Sequence, residues 1–502
     1  MSRLKNSQWR RRGMAVLLSA IMMTFMIPII GLAIDAGVLY SIKAKLSAAS
    51  DAAALAAARS LHIGLTIEAQ QDTAKQRAEA FFAANFPKGM MATANDKVVV
   101  KVEETAAKSR SVTVTGSVDA PTYFMRVMGL TKTTVAANGK AVRRDVNVLL
   151  VLDRSGSLQT AGACDDVEGG AISFVSLFAN QRDRMGLITF GGSSRVDYAP
   201  NKNFKTSSPT LIGQVDTLFP NGCNGWTGSA QALWRGYQEI VDIAEPGALN
   251  VILFFTDGIP NAITAEWNVK TQNTTSSPTG KSHCWDWANN RRYDQAGWNP
   301  VNQLYRGFIA GQSGVGRGGV QGFNAGTMPV SSDPGAVSNP IGYESQSPKA
   351  TSSDCYYRTN TVNVHQDIPH YPNQDIYGNS VFGMPGGQFK SISLYTSGPY
   401  NNKVRINDQT NQQNAAINAV DHAAYRIRQK VLHPDIKTLV YVIGLGGAGE
   451  AEHTLLRRIA NDPQSTVHDQ NAPTGMYVYA PNASQLNAAF ISIASEILRI
   501  AN

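Results

Sequence analysis

Charge and cysteine are both scarce in this chain. Asp, Glu, Lys and Arg together make up 16% of its 502 residues, and there are only four cysteines. Low charge combined with 43% hydrophobic residues excludes a disordered polyelectrolyte, and the length predicts two or three folded units. Cys164, Cys223, Cys284 and Cys355 are far apart and form no C-x-x-C pair, so neither a zinc ribbon nor a thioredoxin-type redox motif is present. The eight histidines contain no H-E-x-x-H, and no nucleophile–base pair stands out, which leaves a hydrolase unsupported. The net charge of +8 is concentrated at one end: Arg3, Lys5, Arg10, Arg11 and Arg12 precede residue 14. No later basic cluster is interleaved with aromatics, so nucleic acid is not an expected partner.

Directly after those basic residues comes a run without charge, from Met14 to Ile34. About 20 apolar residues at roughly 1.5 Å each cross a hydrocarbon core of about 30 Å. Pro28 would kink a soluble helix but is tolerated in a membrane span. The Arg triplet abuts one flank, whereas the other opens with Asp35 and reaches Lys43 and Lys45 only later. The positive-inside rule therefore predicts a cytoplasmic N-terminus and an exported remainder, a single-pass membrane protein. Gly31-Leu32-Ala33 could serve as a signal-peptidase site, but the run exceeds the roughly 7–15 residues of a signal sequence, so an uncleaved anchor is expected. Export also suits four scattered cysteines, which in an oxidising compartment are expected to form disulfides in one of three connectivities.

Beyond the span, Ala36 to Leu61 is Ala-rich and predicts a continuation of the membrane helix, with small residues at Ser47–Leu55 for close packing. A second helix is expected over Ile67–Asn85, then paired strands at Lys97–Glu103 and Arg110–Gly116, a short helix near Thr122–Met128, and a strand near Thr133–Ala141. Together they make a small α+β membrane-proximal unit over 35–144, after a basic tail (1–13) and the span (14–34).

From residue 145 the pattern changes. Asn147-Val-Leu-Leu-Val-Leu152 and Asn250-Val-Ile-Leu-Phe-Phe255 are continuous apolar runs, as in strands buried on both faces of a parallel sheet. Further strands are read at Met185–Phe190, Leu439–Ile443 and Met476–Tyr479, with an edge strand near Arg195–Tyr198. Helices are read near Ile172–Phe178, from Thr227 onward, and over Asn414–Lys430, Glu450–Ala460 and Ser484–Ile500. This alternation predicts an α/β fold with an open, doubly wound, mostly parallel sheet. It is divided into 145–262 and 412–502 by an interruption over 263–411, rich in Gly, Asn, Ser and aromatics. That interruption is read as an irregular, partly β insertion. It offers either a carbohydrate- or protein-contacting surface or merely a small aromatic core of its own.

In such a sheet, ligands collect at the carboxyl ends of the strands. Asp153, Ser155 and Ser157 follow one buried strand, Asp257 follows another, and Thr227 opens a helix. Two carboxylates and three hydroxyls are all hard oxygen donors, suited to Mg²⁺, or to Mn²⁺ or Ca²⁺, rather than to zinc or copper. Two formal negatives leave a divalent ion attractive to an incoming carboxylate. Read alone, Asp153 would be a turn residue, Thr227 a helix cap and Asp257-Gly258 a turn.

At these five positions the chain resembles the von Willebrand factor A family and its metal-ion-dependent adhesion site. The family's D-x-S-x-S matches Asp153, Ser155 and Ser157, its separate Thr matches Thr227, and its T-D-G matches Asp257. The resemblance implies a Rossmann-like sheet, direct binding of the ion by the hydroxyls, and contacts from the carboxylates often made through water. The basic start, single span, Asp51-Ala52-Ala53-Ala54-Leu55 segment and α+β unit further resemble Tad/Flp pilus-assembly proteins of the TadG type. Gly13 is followed by Leu18 where pilin-like relatives carry Glu, so prepilin processing is not expected.

If the adhesion fold applies, the loops bearing Cys164 and Cys223 converge on one ion, which implies the pairs Cys164–Cys223 and Cys284–Cys355. Gly444-Leu-Gly446-Gly-Ala-Gly449 matches a dinucleotide-binding pattern but lies near the domain's end. It is read as a glycine-rich turn beside the metal site. These features leave three functional classes. The first is a Mg²⁺-dependent adhesion or assembly protein of a Tad-type pilus system that engages a protein partner's carboxylate. The second is an envelope assembly factor whose metal site is structural, and the third, least supported, is a hydrolase or nucleotide-binding enzyme.

Overall fold

A computed structural model describes residues 4–106, 108–192, 194–219, 222–223, 225–268, 285–286, 291–292, 304–311, 320–321, 370–405, 409–446 and 452–501. The chain divides into two compact units, Met1–Arg144 and Asp145–Ala501.

The first unit is built on α1 (Leu4–Ser60), one continuous helix of 57 residues with Pro28 inside it. Among the described residues, it is the one helix long and apolar enough to cross a membrane. Large side chains from Leu17 to Ile30 stand exposed around it. Farther along, a single stripe is buried: Asp35, Ile42, Leu46, Ala49, Ala53 and Ala57. Spacings of three, four and seven residues place these on one helical face. That stripe packs against α2 (Ile67–Asn85) and an antiparallel sheet of β1 (Ala94–Ala106), β2 (Ser109–Pro121) and β3 (Lys132–Arg144). Thr66 caps α2 by accepting the Ala69 N–H at 3.2 Å. Gln70, Ala74, Ala78 and Phe82 form its buried face. The alternation in β2 is regular, with Val112, Val114, Val118 and Ala120 buried.

The small residues of α1 have a definite purpose. A Cβ on Gly139 of β3 would lie 2.2 Å from the Ser50 carbonyl oxygen, so helix and strand approach at backbone distance. The helix expected near Thr122–Met128 is a 3₁₀ turn, Met125–Met128.

The second unit is a six-stranded sheet. Its strands are β4 (Val146–Asp153), β5 (Arg184–Phe190), β6 (Ser194–Asn201), β7 (Leu249–Thr256), and two late strands, Thr438–Leu445 and Tyr477–Ala480. Between β7 and the late strands lie β8 (Ala262–Asn268), β9 (Trp285–Asp286), β10 (Arg291–Arg292), β11 (Leu304–Gly311) and β12 (Val320–Gln321), so the late strands are β13 and β14. The sheet order is β14-β13-β7-β4-β5-β6, parallel throughout except for the antiparallel edge strand β6. This is the doubly wound, mostly parallel sheet expected.

Alternate residues of each central strand feed two cores. Val148, Leu150 and Leu152 of β4 face one layer, formed by α3 (Gly156–Ala161), α4 (Cys164–Ser176), α5 (Leu211–Leu218) and the terminal helix Leu486–Ala501. Leu149 and Val151 face the other layer, formed by α6 (Ser229–Ile243), α7 (Gln409–Arg428) and α8 (His453–Ala460); the terminal helix is α9. Burial on both faces is why the strands read as unbroken apolar runs.

Within the interruption, β8 pairs antiparallel with β11, and β11 with β12. Residues 370–405 have few regular elements and are held to α7 by asparagines. Asn418 accepts the Lys390 N–H at 2.9 Å and donates to the Val381 and Lys390 carbonyls at 2.9 and 2.8 Å. Seven residues earlier on the same helix face, Asn411 accepts the Ser393 N–H at 2.6 Å and donates to Ser393 and Arg405 at 3.0 and 2.7 Å. Side-chain amides here supply the pairing that a ladder would otherwise give.

Candidate functional site

The winding reverses between β4 and β7. From β4 the chain proceeds to β5 and β6 on one side, then returns to β7 on the other. A reversal of this kind leaves a crevice at the carboxyl ends of the two strands. Asp153 ends β4, and Asp257 comes directly after the last residue of β7.

The five residues singled out in the sequence meet there. Ser157 Oγ donates to Asp257 Oδ1 at 2.8 Å, and the Ser155 and Ser157 hydroxyls are 3.1 Å apart. Thr227 joins them across Gly258: a Cβ on that glycine would stand 3.3 Å from Ser157 Oγ and 3.4 Å from Thr227 Oγ1. Asp153, Ser155, Thr227 and Asp257 are buried, whereas Ser157 is half-buried.

Neighbours that the sequence reading passed over hold this arrangement. Asp153 Oδ1 accepts the Ser155 N–H at 2.7 Å, and its Oδ2 accepts the Thr256 hydroxyl at 2.5 Å. Thr256 also accepts the Gly258 N–H at 3.2 Å. Asn261 fixes Thr227 by accepting its N–H at 2.7 Å and returning its own N–H to the Thr227 carbonyl at 3.1 Å. Gly228 donates to the Gly191 carbonyl at 2.6 Å, and a Cβ there would strike the Gly192 carbonyl oxygen at 2.5 Å, so only glycine fits. Buried Arg154 donates to the Leu218 and Gly222 carbonyls at 2.7 and 3.0 Å. The T-D-G triplet was the available signal for Thr256; nothing local marked Arg154 or Asn261.

Cys164 and Cys223 are joined in a disulfide, with Cα atoms 6.2 Å apart. Gly156 N–H donates to the Gly225 carbonyl at 3.1 Å, so the β4 loop and the segment before Thr227 are linked twice. Cys284 and Cys355 lie outside the described residues. Gly447 and Gly449 do as well. Gly444 and Gly446, the described part of that motif, are needed for packing, since a Cβ would lie 2.6 Å from Leu456 Cδ1 and 2.3 Å from the Tyr479 hydroxyl respectively.

Electrostatically the site is under-compensated. Burial raises the Asp153 carboxyl well above the usual carboxylate range, and the charge of Asp257 raises it further. Burial likewise raises Asp257. Among the described residues neither carboxylate is in a salt bridge. Two buried carboxyls held side by side with three hydroxyls form a donor set that fits a hard divalent ion. No cluster of three or more His, Cys, Asp or Glu that could hold a metal occurs among the described residues, so any such ion would rely on the hydroxyls.

Two family models match the chain. One is the von Willebrand factor type A domain, over residues 147–277, and the other the putative Flp pilus-assembly TadE/G-like family, over residues 13–60. The chain thus carries one segment that matches the TadE/G-like model and a later one that matches the type A model. Solved structures similar to it include the PilB minor pilin of Streptococcus sanguinis, at 14% identity, covering 81% of this chain and 79% of that one with a TM-score of 0.35. The pilus adhesin SpaC of Lactobacillus rhamnosus GG is 12% identical over 81% of this chain and 35% of that one, TM-score 0.34. The vWF domain of the type V pili tip protein Mfa5 of Porphyromonas gingivalis is 12% identical over 72% of this chain and 98% of that one, TM-score 0.34. Likeness at that level decides nothing about function. No curated protein matches the chain. The type A domain places its Asp153 loop, Thr227 turn and Asp257 turn at one sheet edge, and the TadE/G-like match falls on α1.

Proposed function

We propose that this is a membrane-anchored, metal-dependent adhesion or assembly protein of a Tad-type pilus system. In this reading α1 crosses the inner membrane once, with the basic tail cytoplasmic and the type A domain exported. A protein partner's carboxylate is captured at the crevice between β4 and β7. The observation that carries the reading is the meeting of Asp153, Ser155, Ser157, Thr227 and Asp257 around a buried, uncompensated carboxylate pair.

The chain's own residues have distinct parts. The Ser155, Ser157 and Thr227 hydroxyls offer neutral oxygen lone pairs, and Asp153 and Asp257 supply two negative charges. Thr256 and the Ser155 N–H orient Asp153, while Asn261 orients Thr227. A bound Mg²⁺, Mn²⁺ or Ca²⁺ would contribute a positive centre with a vacancy for an acidic side chain of the partner. The partly β interruption leaves from the Asp257 turn and is suited to widen the contact surface, for protein or carbohydrate.

The test is capture of partners from envelope extracts by the full chain, with Mg²⁺ and with chelator. Capture should need the ion and be lost in Asp153→Ala and Asp257→Ala. Capture indifferent to chelator, from a protein that the ion nonetheless stabilises, would overturn adhesion in favour of a structural metal.

A further inference from the structure

The connection between β2 and β3, residues 122–131, is short, ordered by polar contacts, and apolar on its outside. Its backbone is pinned to α1 by Asp35, whose buried carboxylate accepts the N–H groups of Tyr123, Phe124 and Met125 at 2.8, 2.9 and 2.7 Å. Leu130 N–H closes back onto the Met125 carbonyl at 3.2 Å. The side chains this fixed backbone displays are Tyr123, Phe124, Val127, Met128 and Leu130, all exposed, with Val127 at 87% and Met128 at 74%. Such a cluster on one ten-residue connection marks a contact surface.

Its position selects the partner. The Phe124 ring lies over Gly31 of α1, where a Cβ would be 2.6 Å from it. Gly31 lies inside the charge-free run, four residues and so about 6 Å along the helix from the first charge, Asp35, at 1.5 Å per residue. Elements lying in a membrane interface sink their apolar side by about 5–10 Å, which is this depth. Exposed Arg126 sits in the same turn, with a stem long enough to carry its charge back to the headgroups. We infer that residues 122–131 form a second membrane-contacting element, inserting Val127, Met128 and Leu130 into the lipid beside α1. This rests on α1 being the membrane span proposed above. With two attachments about the Asp35 clamp, the first unit is held at a defined height on the bilayer rather than swinging on a tether.

Photolabelling decides it. The full chain is placed in vesicles of phosphatidylethanolamine and phosphatidylglycerol containing a phospholipid with a diazirine in its acyl chain, irradiated, and digested with trypsin. Cleavage after Arg12, Lys43, Arg126 and Lys132 releases residues 13–43 and 127–132 as separate peptides. Lipid adducts are expected on both. None is expected on 78–88, whose Phe82 packs near Leu46, about 22 Å along α1 from Gly31. Val127→Ser with Met128→Ser should cut labelling of 127–132 about tenfold or more and leave 13–43 unchanged. Adducts on 13–43 with none on 127–132 would overturn the inference while leaving the span intact. Labelling of 127–132 unaffected by the double substitution would also overturn it. Adducts on neither peptide would remove the span, and this element with it.

Discussion

Replacing Thr256 with Val isolates how much of the site depends on a residue that would touch no ion. The two side chains have the same shape, so the buried packing at the end of β7 is kept. The substitution removes the 2.5 Å hydrogen bond to Asp153 Oδ2 and the acceptor for the Gly258 N–H. A hydrogen bond to a charged group contributes about 1.5–3 kcal/mol. Loss of a group that orients a metal ligand weakens metal binding by about 10–100-fold. With Mg²⁺ at about 100 times the native Kd, the ion stabilises the fold by about 2.7 kcal/mol; a Kd raised about 30-fold leaves about 0.9 kcal/mol. The assay is calorimetric titration of the purified full chain with Mg²⁺, paired with thermal unfolding with and without the ion. Thr256→Ser, which keeps the hydroxyl, should restore most of the affinity. Should Thr256→Val bind Mg²⁺ as tightly as the native chain while remaining folded, Asp153 does not serve the ion and the assigned centre is wrong.

Without a divalent ion, the raised Asp153 and Asp257 carboxyls hold protons more tightly when folded than when unfolded, so stability should rise as pH falls toward the ordinary carboxylate range of about 4. Saturating Mg²⁺ should flatten that dependence; unfolding midpoints at pH 8 and 5 with and without the ion check it. Gly139→Val drives a side chain into the Ser50 backbone and should destabilise the first unit by about 1–3 kcal/mol or more, read as faster proteolysis within 35–144. Asn418→Leu strands the Lys390 N–H and the Val381 and Lys390 carbonyls, at about 1–3 kcal/mol for each group left buried and unpaired, and should release 370–405 to protease. Reporter fusions should be active outside the cytoplasm after Asn502 and inside before Met1; the reverse pattern would refute the proposed topology.

Much of the architecture was legible because it is written in local periodicity. A strand buried on both faces must be apolar at every position, so Asn147–Leu152 and Asn250–Phe255 declared themselves before any contact was known. The helix Ile67–Asn85 was bounded by local chemistry, a Thr cap before it and Phe86-Pro87 after it. The candidate donors were legible for a related reason, since polar residues directly after such strands have one edge of the sheet to occupy. The α5 helix, Leu211–Leu218, was not anticipated from the sequence. Long helix 36–61 and its small residues for close packing were visible, but the partner they approach was not, because it is a β3 backbone more than eighty residues away.

By itself, then, the sequence determined the element types, the parallel sheet, the apolar run and the candidate oxygen donors, all of which depend on neighbours within a turn or a strand. Tertiary structure alone decided which loops meet. Thr256 became the partner of Asp153, and Asn261 that of Thr227, only when β4 and β7 paired and the Thr227 segment folded onto the Asp257 turn. The same holds for Asp35, an unremarkable residue at the end of an apolar run. It acquires a role only when the β2–β3 connection comes back to the helix and brings it three backbone N–H groups. A hydrogen bond spanning eighty or a hundred residues leaves no local trace, because either partner alone is compatible with many surroundings.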